Sequence, residues 1–252
     1  MKRCFVFILA LIVLTYVFSH AVLAQTAEFA ERSHIPLSGP VYDLGDGFAA
    51  LGAAERNIVK INEAGEMLYS TAVPENRDIG GLYHAMPAGE KDWFLYTKNE
   101  NGRWRAYLSA VTKENEHVFS MLIGDADQVC HLRGCSFLAQ KDGIVMAVAY
   151  GKLNPEKYRL LWISGEGEIR CEEWLDIQNA TVTLASDGKT DRVHMFVNSI
   201  GDPAIAHVTY DAAGKQLEQE ETRHYYAFDL YWYRDGAWYV WDEKNKEQIP
   251  LF

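Results

Sequence analysis

The chain lacks the sequence motifs of the common hydrolases and nucleotide-binding enzymes. It has no Gly-x-Ser-x-Gly nucleophile elbow, no phosphate-binding loop, no His-Glu-x-x-His zinc motif and no dinucleotide fingerprint. Nothing in the sequence therefore supports the chemistry that these motifs carry. We expect neither a bound metal nor a cofactor, and a non-catalytic protein is favoured over an enzyme.

Basic residues are scarce. The 252 residues contain 24 Lys and Arg against 35 Asp and Glu, which gives a net charge of −11. Removal of the first 24 residues, which hold Lys2 and Arg3 and no acid, would bring the charge to about −13. Proteins bind phosphate backbones by neutralising them with Lys and Arg. We therefore exclude nucleic acid as an expected partner.

Long apolar runs are also absent, with one exception at the start of the chain. Residues 1–3 carry two positive charges, residues 4–18 carry none, and residues 21–24 offer small side chains before Gln25. This order predicts a secretory signal peptide over residues 1–24 and a secreted or periplasmic protein without a membrane span. The alternative is a membrane anchor, an uncleaved N-terminal helix just long enough for a core of about 30 Å. Ser19 and His20 shorten the apolar part and favour cleavage.

Cysteine is rare, and only three cysteines remain after residue 24. Cys130 and Cys135 are close enough in sequence to form a disulfide in an oxidising compartment. Because the closed loop is short, the disulfide would stabilise the folded state by about 2 kcal/mol at most. The alternative is that these thiols stay reduced. Cys171 has no obvious partner and is interpreted as a small apolar residue.

Helical periodicity is nearly missing, and short apolar segments separated by turn residues take its place. Four six-residue segments follow one pattern: an apolar strand end, a small polar residue, two free positions, Gly or Asn, and a charge. They occupy residues 61–66, 111–116, 163–168 and 210–215. Gly or Asn at the fifth position predicts a left-handed backbone that closes a hairpin.

A second series of turn signals runs in phase with the first. It consists of Asp46-Gly47, Asp92, Asp142-Gly143, Asp187-Gly188 and Asp235-Gly236. Each member precedes a run of large or β-branched residues, which is typical of strands. Two interleaved hairpin signals per repeat, with a period of about 48 residues, predict four-stranded units.

The units resemble the blades of a five-bladed β-propeller. We place them at residues 40–75, 78–124, 130–177, 179–222 and 225–252, the last completed by a strand from residues 27–37. The predicted fold is therefore all-β: a single domain over residues 25–252, preceded by a signal-peptide helix and expected to be monomeric. Closing the ring with the N-terminal strand would remove exposed sheet edges. The alternative is a β-sandwich with coincidental turn spacing.

Propellers bind ligands where their innermost strands begin, around the mouth of a central channel. The predicted register places Asp43, Tyr83, His84, His131 and Asp229 at these positions. The resemblance is one of architecture only and carries over no site residue. Five-bladed glycoside hydrolases of the furanosidase type hold three carboxylates at this mouth, because bond cleavage needs an acid and a nucleophile or base at a fixed distance. Asp43 and Asp229 are the candidates, and the alternative is that they serve turns.

Aromatic residues are concentrated near the C-terminus, with nine in residues 225–241. Most of them should pack in the core, but Trp232 and Trp238 flank a turn and are predicted to be exposed as a platform for sugar rings. The sequence therefore favours an exported, non-catalytic binding or scaffold propeller that recognises a carbohydrate or an envelope or extracellular protein. The alternative is a glycan-directed hydrolase with carboxylates at the channel mouth.

Overall fold

The computed structural model describes residues 35–129, 132, 135–151, 155–199, 204–223, 231–242 and 247–251. The predicted signal peptide and residues 27–34 lie outside the described residues, as do Cys130, His131 and Asp229. No α-helix occurs in the described part of the chain. None of its segments is a helix that could cross a bilayer.

The described residues form antiparallel β-sheets whose strands follow one another in sequence order. Four sheets have four strands each and the last has three. Sheet 1 contains β1 (Tyr42–Asp43), β2 (Phe48–Leu51), β3 (Ile58–Ile61) and β4 (Met67–Ser70); sheet 2 contains β5 (Ile79–Ala88), β6 (Lys91–Glu100), β7 (Arg103–Thr112) and β8 (His117–Asp125); sheet 3 contains β9 (Ser136–Gln140), β10 (Gly143–Tyr150), β11 (Lys157–Ser164) and β12 (Ile169–Leu175); sheet 4 contains β13 (Ala180–Ala185), β14 (Val193–Ser199), β15 (Ala204–Tyr210) and β16 (Gln216–Arg223); sheet 5 contains β17 (Tyr231–Arg234), β18 (Ala237–Asp242) and β19 (Glu247–Pro250). The prediction of an all-β protein with four-stranded units is confirmed.

The third and fourth strands of sheets 1 to 4 are joined by one kind of turn. Gly65, Asn115, Gly167 and Gly214 have φ of 79°, 65°, 86° and 86°, the left-handed values that the sequence predicts. In each turn the N–H of this residue donates to the carbonyl three residues earlier, as Gly65 N does to Asn62 O at 3.0 Å. The strand register shifts beside each turn, which is the bulge that accompanies this hairpin.

Consecutive sheets pack face to face, and each pair shares its own apolar core. Strand β10 shows how the sequence permits this, because successive side chains of a strand point to opposite faces. Ile144, Met146 and Val148 pack in the core between sheets 2 and 3. Val145, Ala147 and Ala149 pack in the core between sheets 3 and 4. Burial on both faces explains why this strand is apolar along nearly its whole length.

The first strands of successive sheets lie next to one another. Strand β1 contacts β5, β5 contacts β9, and β9 contacts β13. Four-stranded antiparallel units stacked with their first strands together form a propeller-like arrangement. Among the described residues, no strand joins the last sheet to the first.

The segment before β1 lies on sheet 1. Leu37 forms an antiparallel bridge with Gly52, and Ser38 N donates to Leu51 O at 2.7 Å. Ile35 and Leu37 also pack on the face of sheet 1 that carries Val59 and Ile61. At Leu37 the predicted pairing with the last unit is therefore wrong, because the segment continues the line of β1. The pairing of residues 27–34 stays a prediction.

Candidate functional site

A pocket with a volume of about 1180 Å³ opens at one end of sheet 2. In an antiparallel sheet every second connection lies at the same end. The connections that follow β2, β4, β6 and β8 accordingly converge, and each contributes residues to the pocket wall. The pocket is thus formed by side chains from sheets 1 and 2 and from the segment that leads to sheet 3.

The indole ring of Trp104 forms one wall of the pocket and is 45% exposed. It lies directly over Gly80, where a Cβ atom would come within 2.4 Å of Trp104 Cζ3 and 2.7 Å of Thr97 Oγ1. Only glycine leaves room for the ring at this position. The register of β5 against β6 also shifts between Ile79 and Gly81, and such bulges are common beside binding sites.

The backbone at the rim adopts conformations that non-glycine residues rarely take. Arg56 and Asp78 have φ of 50° and 53°. The Arg56 side chain supports the first strand of sheet 2, with Nε donating to Ile79 O at 2.9 Å and Nη2 to Gly80 O at 2.5 Å. Left-handed backbone of this kind persists where surrounding contacts hold it, often at binding sites.

Charged groups of both signs surround the tryptophan. Arg103, Asp78 and Asp127 are exposed, whereas Asp125 is half-buried with Oδ1 3.5 Å from Arg105 Nε. Carboxylates and guanidinium groups bind paired hydroxyls through short, directional hydrogen bonds, and an indole face packs against C–H groups. An apolar wall with a few convergent polar groups is the usual composition of a small-molecule site.

Of the predicted site residues, Tyr83 lies in this pocket. Its ring folds back over the neighbouring backbone, so that a Cβ at Gly81 would be 3.0 Å from Tyr83 Cζ. His84, the next residue of β5, does not line the pocket. Its ring stacks on Phe137 at 4.4 Å and meets Tyr42 edge to face at 5.8 Å. Burial lowers the pKa of His84 to about 4, so this imidazole is a neutral packing group between innermost strands.

Asp43 is placed away from the pocket. It is exposed, and its Oδ1 accepts a hydrogen bond from Gly45 N at 2.7 Å in the turn between β1 and β2. This turn precedes β2, whereas the pocket receives the connection that follows β2. Asp43 thus stabilises a turn, and its predicted role at a channel mouth stays a prediction. His131 and Asp229 lie outside the described residues.

The C-terminal aromatic residues pack against sheet 4. Trp238 is only 5% exposed and lies 4.8 Å from the ring of His194 and 5.0 Å from that of Phe196. Its predicted exposure is wrong, because β18 is the middle strand of sheet 5 and turns this residue towards sheet 4. For Trp232 the structure describes the backbone position, opposite Tyr239.

The two cysteines in described segments are both half-buried. Cys135 packs against the core between sheets 2 and 3. Because Cys130 lies outside the described residues, the Cys130–Cys135 disulfide stays a prediction. Cys171 is a free thiol with Sγ 3.9 Å from Gly214 O. Among the described residues, no group of three or more His, Cys, Asp or Glu side chains is arranged to hold a metal ion.

A cluster of four charges lies at the opposite end of β6 from the pocket, and no sequence pattern predicts it. Lys60 and Asp92 are almost completely buried, and Lys60 Nζ lies 3.0 Å from Asp92 Oδ2 and 2.8 Å from Asp46 Oδ1. Lys113 Nζ pairs with Asp92 and lies 3.2 Å from Asp46. This charge cluster joins sheets 1 and 2 and is electrically balanced.

The pKa values of Lys60 and Asp46 reflect this balance. Burial disfavours the charged form of Lys60, but hydrogen bonds with Asp46 and Asp92 outweigh it and raise the pKa. Burial also opposes ionisation of Asp46, yet hydrogen bonds from Lys60 and Lys113 lower its pKa. All the charges are therefore compensated within the cluster, which is a structural link and not a ligand site.

No protein-family model and no curated protein sequence matches the chain. Similar solved structures include a bifunctional GH43-CE protein of Bacteroides eggerthii, with 14% identity, a TM-score of 0.35 and coverage of 81% of this chain and 31% of that one. A GH43 endo-arabinanase from Bacillus licheniformis shows 10% identity and a TM-score of 0.36, covering 84% of this chain and 92% of the other. A eukaryotic initiation factor shows 9% identity and a TM-score of 0.30, with coverage of 71% and 63%. Similarity at this level assigns neither a family nor an activity.

Proposed function

We propose that this chain is an exported, non-catalytic carbohydrate-binding protein whose ligand occupies the pocket beside Trp104. The observation that carries the proposal is an exposed indole packed against Gly80 in a large pocket with charged groups at its rim. Sugars present both apolar C–H faces and hydroxyl groups, and this pocket has a complementary surface for each.

The composition of the pocket favours binding over hydrolysis. Glycoside hydrolysis requires two carboxyl groups in different environments, one of them normally shielded from water so that it can act as an acid. Asp78 and Asp127 are both open to solvent, and Asp125 is paired with Arg105. Among the described residues, these are the carboxylates that the pocket offers to the alternative, a glycan-directed hydrolase, whereas Asp229 lies outside the described residues.

The proposal is tested by comparing Trp104→Ala with Leu217→Ala. Both remove a large exposed side chain, and Leu217, on β16 of sheet 4, is 42% exposed. On a glycan array followed by titration calorimetry, we expect Trp104→Ala to weaken binding at least about tenfold, as truncation of an aromatic anchor does. Leu217→Ala should bind like the wild type.

Three outcomes would overturn the proposal. Silence of the wild type on glycans together with capture of an envelope protein would favour a protein partner. Turnover of arabinan or another polysaccharide that is lost in Asp125→Asn would favour the hydrolase. Unchanged glycan binding by Trp104→Ala would exclude this pocket as the site.

We further propose that the exported chain is a five-bladed ring in which residues 27–34 complete sheet 5. Sheet 5 has three described strands where the others have four, and residues 35–37 already run along sheet 1. Deletion of residues 25–33 from the mature chain removes the closing strand without touching the Leu37 bridge. We expect a clear fall in melting temperature, and an unchanged value would contradict closure by this segment. Cleavage after residue 24 is checked by N-terminal sequencing of the exported protein.

A further inference from the structure

A second exposed tryptophan lies close to the pocket and is held in a fixed orientation. Trp174, near the end of β12, is 47% exposed, whereas Trp93, Trp162 and Trp238 are at most 5% exposed. Its indole Nε1 donates to Glu172 Oε1 at 2.8 Å. This hydrogen bond fixes the orientation of the ring, although the ring itself remains exposed to solvent.

The carboxylate that holds the indole is itself fixed. Arg159 donates from Nε to Glu172 Oε1 and from Nη2 to Glu172 Oε2, both at 3.0 Å. Such two-point pairing defines the plane of the carboxylate as well as its position. The hydrogen bonds from Arg159 keep the pKa of Glu172 below its usual value, so the pair stays ionised at neutral pH.

Two further side chains support the ring. Lys157 Nζ lies 4.5 Å from the centroid of the Trp174 ring, and the ring of Tyr150 lies 5.1 Å from it at 55°. Tyr150 is anchored in turn, because its hydroxyl donates to Ile123 O at 2.7 Å. Despite these contacts nearly half of the Trp174 surface remains open to solvent. We call Tyr150, Lys157, Arg159, Glu172 and Trp174 the outer platform.

The outer platform and the pocket flank the same short segment, residues 125–129. On one side Ala126 N donates to Trp104 O at 2.9 Å. On the other side Gly151 N donates to Gln128 O at 3.0 Å, and Val129 forms a bridge with Tyr150. Gln128 also lines the pocket. Residues 125–129 thus contact Trp104 on one side and Tyr150, which packs against Trp174, on the other.

We infer that the outer platform is a second sugar-binding subsite and that the ligand is an extended oligosaccharide spanning both tryptophans. This inference rests on the proposed function of the pocket and specifies its substrate class. A chain of sugar rings that leaves the pocket across residues 125–129 meets the outer platform next. Two linked contacts on one ligand act together, because the second forms without a further loss of translational freedom.

The inference predicts that affinity rises with ligand length. Linear arabino-, xylo- and cello-oligosaccharides are titrated as disaccharide, tetrasaccharide and octasaccharide into the wild type, Trp104→Ala and Trp174→Ala. We expect Trp104→Ala to weaken every length, and Trp174→Ala to weaken the octasaccharide at least about tenfold while the disaccharide changes by less than about twofold.

Two variants serve as controls. Ile169→Ala removes a side chain that is 40% exposed on the same strand as Trp174 and should bind like the wild type. Trp174→Phe keeps an aromatic ring without the bond to Glu172, and it should recover part of the octasaccharide affinity. This variant also covers the case in which the alanine variant fails to fold.

The outcomes separate this inference from the proposal beneath it. The second subsite is excluded if the wild type binds the disaccharide and gains no affinity with ligand length. It is also excluded if Trp174→Ala binds the octasaccharide as tightly as the wild type does. In both cases the pocket beside Trp104 remains the proposed binding site. If the wild type binds no oligosaccharide of any length, both are overturned. A gain in affinity with ligand length that Trp174→Ala abolishes and Ile169→Ala retains supports the inference.

Discussion

The two ends of strand β6 use charged residues in opposite ways. At its start, Asp92 is buried between Lys60 and Lys113, and Asp46 completes a set of two acids and two bases. At its other end, Arg103, Asp78 and Asp127 point into solvent around Trp104. Charges that satisfy one another stabilise the contact between sheets 1 and 2, whereas charges left open remain available to a ligand. Burial and pairing therefore distinguish structure from function better than residue type does.

The largest expected effect comes from removing the buried acid of the charge cluster. Asp92→Ala leaves Lys60 buried with one partner fewer, and breaking a buried ion pair in this way costs roughly 3–5 kcal/mol. Urea unfolding of the mature chain measures this loss. The control Asp46→Glu alters a half-exposed partner of Lys60 and should lower the free energy of unfolding far less. A loss below about 1 kcal/mol for Asp92→Ala would contradict a structural role.

Acid should act on the histidines before it acts on the charge cluster. His194 Nδ1 and His207 Nε2 are 2.9 Å apart between sheets 4 and 5, and burial lowers the pKa of both, that of His207 to about 4. A lowered histidine pKa means that the unfolded chain takes up protons first, below pH 6.5. Stability should therefore fall as the pH drops from 6.5 to about 4, by up to about 1.4 kcal/mol per pH unit for His207, and His194 should act in the same direction.

The charge cluster should respond only at lower pH. The pKa of Asp46 is lowered, so its contribution is present above the ordinary carboxyl value of 3.8 and is lost as the pH falls through the folded value. The pKa of Lys60 is raised, so its contribution to stability is fully present below the ordinary lysine value of 10.5 and is lost only in strong alkali. Measuring the free energy of unfolding of the wild type and of His207→Gln as a function of pH separates the pH range of the histidines from that of the charge cluster. A His207→Gln profile as steep as that of the wild type above pH 4 would contradict this order.

A smaller effect on stability, with a large effect on binding, is expected at Gly80. Gly80→Ala places a methyl group against the Trp104 indole and must displace it. We expect a loss of about 1–3 kcal/mol in stability, as for overpacking elsewhere, and loss of glycan binding. The double variant Gly80→Ala/Trp104→Ala relieves the clash with the indole and leaves only the contact with the Thr97 hydroxyl, which a side-chain rotation can relieve. It should regain most of the stability without regaining binding, and simple additivity of the two stability changes would argue against contact between these residues.

The smallest change in stability is expected at the rim of the pocket. Arg103→Ala removes an exposed side chain, so the free energy of unfolding should stay within about 0.5 kcal/mol of the wild type. Glycan affinity should fall several-fold because a donor for sugar hydroxyls is lost. Arg234→Ala, at the exposed turn of sheet 5, is the matched control and should leave the affinity unchanged. Equal affinities for both variants would remove Arg103 from the site.

The turns could be predicted from the sequence because they depend on a few adjacent residues. Gly65 and Asn115 adopt the left-handed backbone that their place in the repeat demands. Asp92 fits the second turn series by spacing alone, yet it lies inside β6 and the turn is made by Gly89, with φ of 60°. Its burial depends on Lys60, 32 residues away in sequence, and no local pattern records such a contact.

The pocket was missed for the same reason. In the sequence, Trp104 is one residue of a strand with alternating polarity. Its surroundings depend on contacts with Gly80 and with the segment after β8, which are distant in sequence. The adjacent Gly80 and Gly81 were the available signal, since glycine within a strand often marks a close approach or a bulge. For Trp238 the sequence predicted exposure because the residue lies beside a turn, but sheet 4 covers the ring.

In the described part of the chain each sheet packs against its sequence neighbours, and this arrangement affects how the molecule opens locally. Separate cores join sheets 1 and 2, 2 and 3, 3 and 4, and 4 and 5. Repeats coupled in this manner behave as a nearly one-dimensional system, in which local opening begins where a unit has one neighbour. In an open array, amide hydrogen exchange would be slowest in sheet 3 and become faster towards sheets 1 and 5. The closed ring that we propose gives each sheet two neighbours, so we expect nearly uniform exchange rates, and a gradient towards sheets 1 and 5 would contradict closure.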